Sequence, residues 1–204
     1  MSKWMALGMG SVGAAGAGAG GYFLLKPETE TFKTKYKHSL LSKDGDSSIW
    51  DARHTSLSGK TPTHKKLKEA VTNYSSTDNS KRLHREACLE IYEMPVESKE
   101  YLSDFESYCT KNMGDALAPK TVISDPKETT TEWDKKLNAL KGLESDKVES
   151  LPSELKTLKN AIGSTSLSAT HRETLKNWCD GMKTKMFVGS EDSRFQDFSN
   201  YCAK

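Results

Sequence analysis

This chain of 204 residues has little that would build a sheet or a large core. No stretch alternates apolar and polar residues as a half-buried strand does. Hydrophobic residues make up 35% of the chain and include an apolar amino-terminal run, so the cores must be small. Apolar residues instead recur at helical spacing, as in Leu151, Leu155, Leu158 and Ile162. We therefore predict a mainly α protein.

The charges are not segregated by sign. The chain has 30 basic and 28 acidic residues, a net charge of +2. The one dense basic run, from His64 to Lys68, fits the solvated side of a helix. No basic face is available for a phosphate backbone, so nucleic acid is not an expected partner.

Motifs for site chemistry are incomplete. Residues 8–13 match the glycine pattern of a dinucleotide loop. The sequence has no convincing strand before them, however, and no suitable acidic residue after them to bind the ribose. Residues 58–61 lack the first glycine of a phosphate loop, and residues 44–46 lack the rest of a calcium loop. We predict no catalytic, cofactor-binding or metal-binding residues. The alternative is an enzyme or metal-dependent module whose site no motif reveals.

His84 and Cys88 are one helical turn apart, as metal ligands or a nucleophile and its base could be. No Cys-x-x-Cys accompanies them, and His171 and Cys179 are eight residues apart. We therefore interpret His84 as an exposed helical histidine beside a structural cysteine.

Charge is absent from residues 4–25, WMALGMGSVGAAGAGAGGYFLL, which follow a three-residue tail, 1–3. As a helix this segment would be about 33 Å long, enough for a hydrocarbon core of about 30 Å. The alternative is a cleavable signal peptide, cut at small residues near positions 15–19. Because the apolar run continues through Leu25, we prefer an uncleaved transmembrane helix or signal anchor.

Two signals disagree on the orientation of this anchor. Lysines cluster after it, from Lys26 to Lys43, which favours a cytoplasmic location for the rest of the chain. Four cysteines in a paired arrangement favour the outside, because disulfides persist mainly outside the reducing cytosol. We expect a single-pass protein of the cell membrane with most of its chain extracellular.

The remaining chain divides at two polar stretches. Residues 26–48 predict a polar stalk, and residues 114–130, which contain Pro119 and Pro126, predict a linker. Helical units are expected at 49–113 and 131–204.

These two units share a pattern. LSDFESYCTK at 102–111 resembles FQDFSNYCAK at 195–204, and Trp-Asp opens each unit at Trp50 and Trp133. Each unit also has an earlier cysteine, Cys88 or Cys179, preceded by His-Arg-Glu at His84 or His171. The common order predicts a tandem duplication of a unit of about 65–75 residues.

The four cysteines lie on apolar helix faces, where two helices of a unit would meet. Buried free thiols are one interpretation, because free cysteine is often buried. The other is one disulfide per unit, Cys88 with Cys109 and Cys179 with Cys202, which would stabilise a small unit by about 3 kcal/mol. The aromatic residues expected in the repeated core are Trp50, Phe105, Tyr108, Trp133, Trp178, Phe198 and Tyr201.

The start Met1-Ser2-Lys3, the small-residue apolar segment and the Trp-opened, Cys-closed units together resemble large uncharacterised paralogous families of haemotropic mycoplasmas. The resemblance implies a single-pass membrane protein of a wall-less blood parasite, a variable surface antigen or adhesin. It supplies no catalytic residue. We expect a surface interaction protein whose partner, beyond the membrane itself, is a host protein or a second copy.

Overall fold

The structure is a computed structural model that describes residues 29–163 and 165–204. In these residues the chain forms helices and no strand, which confirms the mainly α class. The first five helices are α1 Phe32–Lys35, α2 Ser47–Ser56, α3 Lys65–Thr72, α4 Thr77–Tyr92 and α5 Leu102–Tyr108. The next five are α6 Thr130–Lys141, α7 Ser145–Val148, α8 Ser153–Ile162, α9 Ala169–Lys183 and α10 Ser193–Cys202.

The helices enclose two hydrophobic cores that follow each other along the chain. The first core lies within residues 32–109 and is built on α1 to α5. The second lies within residues 113–203 and is built on α6 to α10. We call residues 30–110 the first unit and residues 111–204 the second unit.

Each unit opens its main helical part with a buried tryptophan held in the same way. The Trp50 indole N–H donates to the Ser42 carbonyl at 2.8 Å, and the Trp133 indole N–H donates to the Asp125 carbonyl at 3.0 Å. Both acceptors lie eight residues before the ring. A buried indole needs such a partner, and both units supply it from the segment before the helix.

Isolated β-bridges close each unit at matching positions. The first bridge of each unit joins Thr31 to Pro95 in the first unit and Asn112 to Met186 in the second unit. Pro95 and Met186 each lie seven residues after the earlier cysteine of their unit.

The second bridge of each unit joins Leu40 to Thr110 in the first unit and Val122 to Ala203 in the second unit. Thr110 and Ala203 each directly follow the later cysteine. Each unit therefore begins with a segment that the rest of the unit pairs with at two points.

These opening segments show that the predicted stalk, 26–48, and linker, 114–130, were wrong. Phe32 and Leu41 are buried in the first core, and Leu117 and Ile123 are buried in the second. The proposed stalk, from residue 29 onward, and the linker occupy equivalent places as parts of their units. Periodicity missed them because single apolar residues on irregular backbone leave no helical or strand repeat.

The predicted membrane segment, residues 4–25, lies outside the described residues. Among the helices between residues 29 and 204 that the structure describes, none combines the length and apolar character required to cross a membrane.

The role of the opening segment can be tested at Phe32. Its ring is fully buried and lies 4.7 Å from the ring of Phe105, centroid to centroid. Because Phe32→Ala removes a buried ring, we expect the free energy of unfolding to fall by about 3–5 kcal/mol. Urea unfolding measures this loss. Lys37→Ala, in the exposed turn after α1, is the control and should change stability by less than about 0.5 kcal/mol. If Phe32→Ala has an equally small effect, the segment is a polar stalk and does not belong to the core.

Candidate functional site

The predicted disulfides are present in both units. Cys88 bonds to Cys109 and Cys179 bonds to Cys202, with Cα–Cα distances of 5.2 and 5.5 Å. All four residues are fully buried. Each bond joins the longest helix of its unit to the end of the last one: Cys88 in α4 to Cys109 directly after α5, and Cys179 in α9 to Cys202 at the end of α10. The predicted pairing is confirmed, and no free cysteine remains among the described residues.

The aromatic residues predicted for the repeated core are not all buried. Five of the seven residues are buried, namely Trp50, Phe105, Trp133, Phe198 and Tyr201. Tyr108 and Trp178 are only half-buried and pack at the edges of the cores. Trp178 lines a groove of about 360 Å³ between α8 and α9 together with Leu155, Leu158 and Met182. Its indole is therefore a surface feature as well as a core residue.

The interpretation of His84 as an exposed histidine was wrong. Its side chain is buried on α4, and Nε2 donates to the Tyr108 carbonyl at 2.8 Å. Its helical neighbour Cys88 is held in the disulfide and offers no thiolate.

The His-Arg-Glu match does not correspond to equivalent positions in the two units. Counted back from the earlier cysteine, His84 occupies the place of Leu175. His171 instead lies at the start of α9, where it forms a capping box with Ser168. An alignment of the two units on their cysteines, which needs only the sequence, would have placed the two histidines at different positions of the repeat.

His84 belongs to a buried histidine pair of the first unit. The ring centroids of His54 and His84 are 5.9 Å apart, and His54 Nε2 lies 2.8 Å from Ser80 Oγ. Because the Ser80 hydroxyl donates to the Ala70 carbonyl, its oxygen accepts and His54 Nε2 carries the proton. Counted from the tryptophan, the place of His54 in the second unit is taken by Leu137, which is buried.

Burial disfavours the charged form of both imidazoles. Removal from water lowers the pKa of His84 to about 4, even though the bond to the Tyr108 carbonyl raises it, and His54, Arg85 and Arg53 add repulsion. Burial, followed by the charge of Lys81, also lowers the pKa of His54, while Asp51 opposes this change. The first unit therefore contains two groups that resist protonation, at places where the second unit has leucines.

This difference predicts an acid-sensitive first unit. Because unfolded histidine binds a proton near pH 6.5 and folded His84 only near pH 4, its contribution is intact above pH 6.5. As pH falls to 4, the free energy of unfolding should drop by on the order of 3 kcal/mol, measured by urea unfolding at each pH. His84→Leu, the residue of the second unit, should remove most of the decline. The reciprocal variant Leu175→His should steepen it; an unchanged slope in both variants contradicts the assignment.

The aspartate of the repeated Asp-Phe-x-x-Tyr-Cys pattern has different surroundings in the two units. In the first unit, Asp104 Oδ2 accepts the backbone N–H groups of Thr63 and His64, at 2.8 and 2.6 Å, before α3. In the second unit, Pro152 precedes α8 in the place of His64 and has no N–H to donate. Asp197 has no hydrogen-bond partner within the described part of the chain, and burial raises its pKa to about 6.

The unpaired carboxyl should cost stability at neutral pH. Because the folded pKa of Asp197 is raised, its cost is absent below the unfolded value of 3.8 and complete above about pH 6. Asp197→Asn should increase the free energy of unfolding at pH 7 by about 1 kcal/mol, a value reduced for solvent screening of a half-buried group. The gain should vanish near pH 3.5 in the same urea titration. Asp104→Asn, the matched variant, should instead lower stability at pH 7; a gain in both variants would contradict the pairing scheme.

A cleft lies where the two units meet, and its floor is a network centred on Arg53. The Arg53 side chain is 11% exposed; its Nε donates to the Thr110 carbonyl at 2.7 Å, and its guanidinium pairs with Asp115. Asp115 in turn accepts the Asn112 backbone N–H at 2.9 Å, and Asn112 Oδ1 accepts the Asp115 N–H at 2.8 Å. The network holds Arg53 and Asn112 rigidly across the junction.

The cleft encloses about 580 Å³ and is lined mainly by polar side chains. The first unit contributes Arg53, Ser56, Glu106 and Ser107. The second unit contributes Asn112, Thr184, Lys185 and Arg194, with Met186 and Val188 as its apolar part. No sequence pattern predicts this site, because its residues are far apart in the chain and belong to no motif.

No group of three or more His, Cys, Asp or Glu side chains capable of holding a metal ion occurs among residues 29–163 and 165–204. The polar cleft and the apolar groove at Trp178 are adjacent, because Lys185 lines both. These two surfaces are candidate binding sites.

No protein-family model, curated protein or solved structure matches this chain.

Proposed function

We propose that this chain is a single-pass membrane protein of the cell surface that acts as an interaction module and not as an enzyme. Residues 4–25 serve as its anchor, and the two helical units face the outside. The units present their cleft and grooves to a host protein, a host surface or a second copy. The resemblance to the paralogous proteins of haemotropic mycoplasmas supports the role of a surface antigen or adhesin.

The observation that carries this proposal is the disulfide inside each core. Both bonds are fully buried and join successive helices of one unit. Such bonds form and persist in oxidising surroundings and are rare in the cytosol. This argument outweighs the lysines after the apolar segment, because a polar tail is translocated largely regardless of its charge when it is long.

We also propose that the units arose by duplication of one ancestral unit. Both units contain the same features: a tryptophan hydrogen bond to a carbonyl eight residues earlier, one disulfide, and two β-bridges whose later partners lie at the same distance from a cysteine. A matching ion pair joins α2 to α4 through Asp51 and Lys81, and α6 to α9 through Asp134 and Arg172. A repeated scaffold of this kind allows one unit to change its surface while the other preserves it.

The location can be tested on intact cells that make the protein. Protease added outside should remove residues 27–204 from the membrane fraction, and a membrane-impermeant thiol reagent should label the protein only after unfolding and reduction. A cytosolic marker protein is the control for intact membranes. Peptide mapping without reduction should recover both cysteine pairs from the native protein. Protection from protease in intact cells, or fractionation with the cytosol, contradicts the proposal.

A further inference from the structure

We propose that the cleft between the two units binds an acidic saccharide, through a carboxylate or sulfate group that the cleft residues recognise as an oxyanion. This inference rests on the surface role proposed above for the source of its ligand.

Two donors of the cleft are fixed in place before any ligand arrives. Arg53 uses Nε for the Thr110 carbonyl and one terminal nitrogen for Asp115, so its other terminal nitrogen has no acceptor among the described residues. Asn112 uses its side-chain oxygen for the Asp115 N–H, and its amide nitrogen likewise has no acceptor within the described chain. Donors held by other bonds lose little freedom on binding, which favours recognition of an anion.

One cation of the cleft is not held in an ion pair with any residue that the structure describes. Arg53 is balanced by Asp115, and Arg194 is balanced by Asp192, whose carboxylate lies 3.2 Å from the guanidinium. Lys185 lines the cleft without an ion-pair partner in the described part of the protein. Lys185 is therefore a cation of the cleft that is available to contact an oxyanion.

Glu106 is the opposing charge. It lines the same cleft and forms no ion pair with any described residue. Its oxygens can accept sugar hydroxyl groups, but its charge repels an anion. This repulsion gives the proposal a test of definite sign.

The lining favours a sugar over an acidic peptide. Hydroxyl groups of Ser56, Ser107 and Thr184 line the cleft, and its volume of about 580 Å³ falls in the usual range of small-ligand sites. Peptide and protein partners gain most of their affinity from large apolar or aromatic anchors in enclosed pockets. Met186 and Val188 form only a small apolar part of this cleft, so a hydroxyl-rich ligand fits it better.

The test uses the full-length oxidised protein and titration calorimetry with a sulfated heparin disaccharide. A neutral disaccharide, which has neither a sulfate nor a carboxylate, and a short polyglutamate peptide are the comparison ligands. We expect the sulfated sugar to bind, the other two to bind at least about tenfold more weakly, and the affinity to fall as salt is added. The double variant Lys185→Gln/Arg194→Gln should lower the affinity roughly tenfold, because it removes two exposed cations that attract the anionic group.

Two further variants separate the site from general charge effects. Lys183→Gln removes an exposed lysine near Lys185 that does not line the cleft, and it should leave the affinity unchanged. Glu106→Gln keeps an acceptor oxygen and removes the repulsion, so it should tighten binding about twofold to fivefold. Circular dichroism and thermal unfolding confirm that each variant is folded.

Equal binding of polyglutamate overturns the saccharide assignment. Equal losses in the double variant and Lys183→Gln, or weaker binding in Glu106→Gln, overturn the site. These outcomes are independent of the surface role. If the purified protein binds the sulfated sugar but is protected from protease in intact cells, only the proposed location is rejected. If it is cleaved on intact cells but does not bind the sugar, only the proposed cleft site is rejected.

Discussion

The relative position of the two units depends on the backbone of three residues. Thr110 completes the first unit by pairing with Leu40, and Asn112 opens the second unit by pairing with Met186. The single residue between them, Lys111, donates its N–H to the Ser39 carbonyl, and its carbonyl accepts the N–H of Phe187. Each peptide of the junction is thus bonded to one unit or the other. A flexible linker would let the units turn freely, whereas this junction fixes the walls of the cleft.

The repeated scaffold carries different chemistry in its two copies. Disulfides, bridges and buried tryptophans agree between the units because they define the backbone path. Residues at equivalent interior places differ, with His84 in the first unit and Leu175 in the second. In the second unit Pro152 takes the place of His64, so one of the two N–H groups that the aspartate of the first unit binds is missing. The scaffold therefore tolerates replacement of polar interior groups, at a cost in stability that depends on pH.

Much of the helical structure could be predicted from the sequence. The stripe of Leu155, Leu158 and Ile162 is buried on α8, and the cysteine pairs follow from the repeated pattern. Helical periodicity and covalent pairing are local or repeated signals, so a single sequence carries them.

The opening segments and the cleft could not be predicted in this way. Phe32 is buried by residues more than sixty positions away, such as Phe105, and the polar sequence around it is typical of a loop. Arg53 meets Asp115 only because two units are packed together. Contacts between distant parts of the chain depend on the tertiary arrangement, and neither composition nor spacing specifies them.

The disulfides also determine how the protein responds when its ends are pulled apart. Each bond encloses a loop, with sequence separations of 21 and 23 residues between the linked cysteines. A fully extended chain spans about 3.4 Å per residue, so each loop withholds roughly 70–80 Å of length from stretching. Tension would open the β-bridges at the unit boundaries and stop at the covalent links, leaving α4 tied to α5 and α9 tied to α10. A protein built in this way can lengthen under load and still keep these two helix pairs linked.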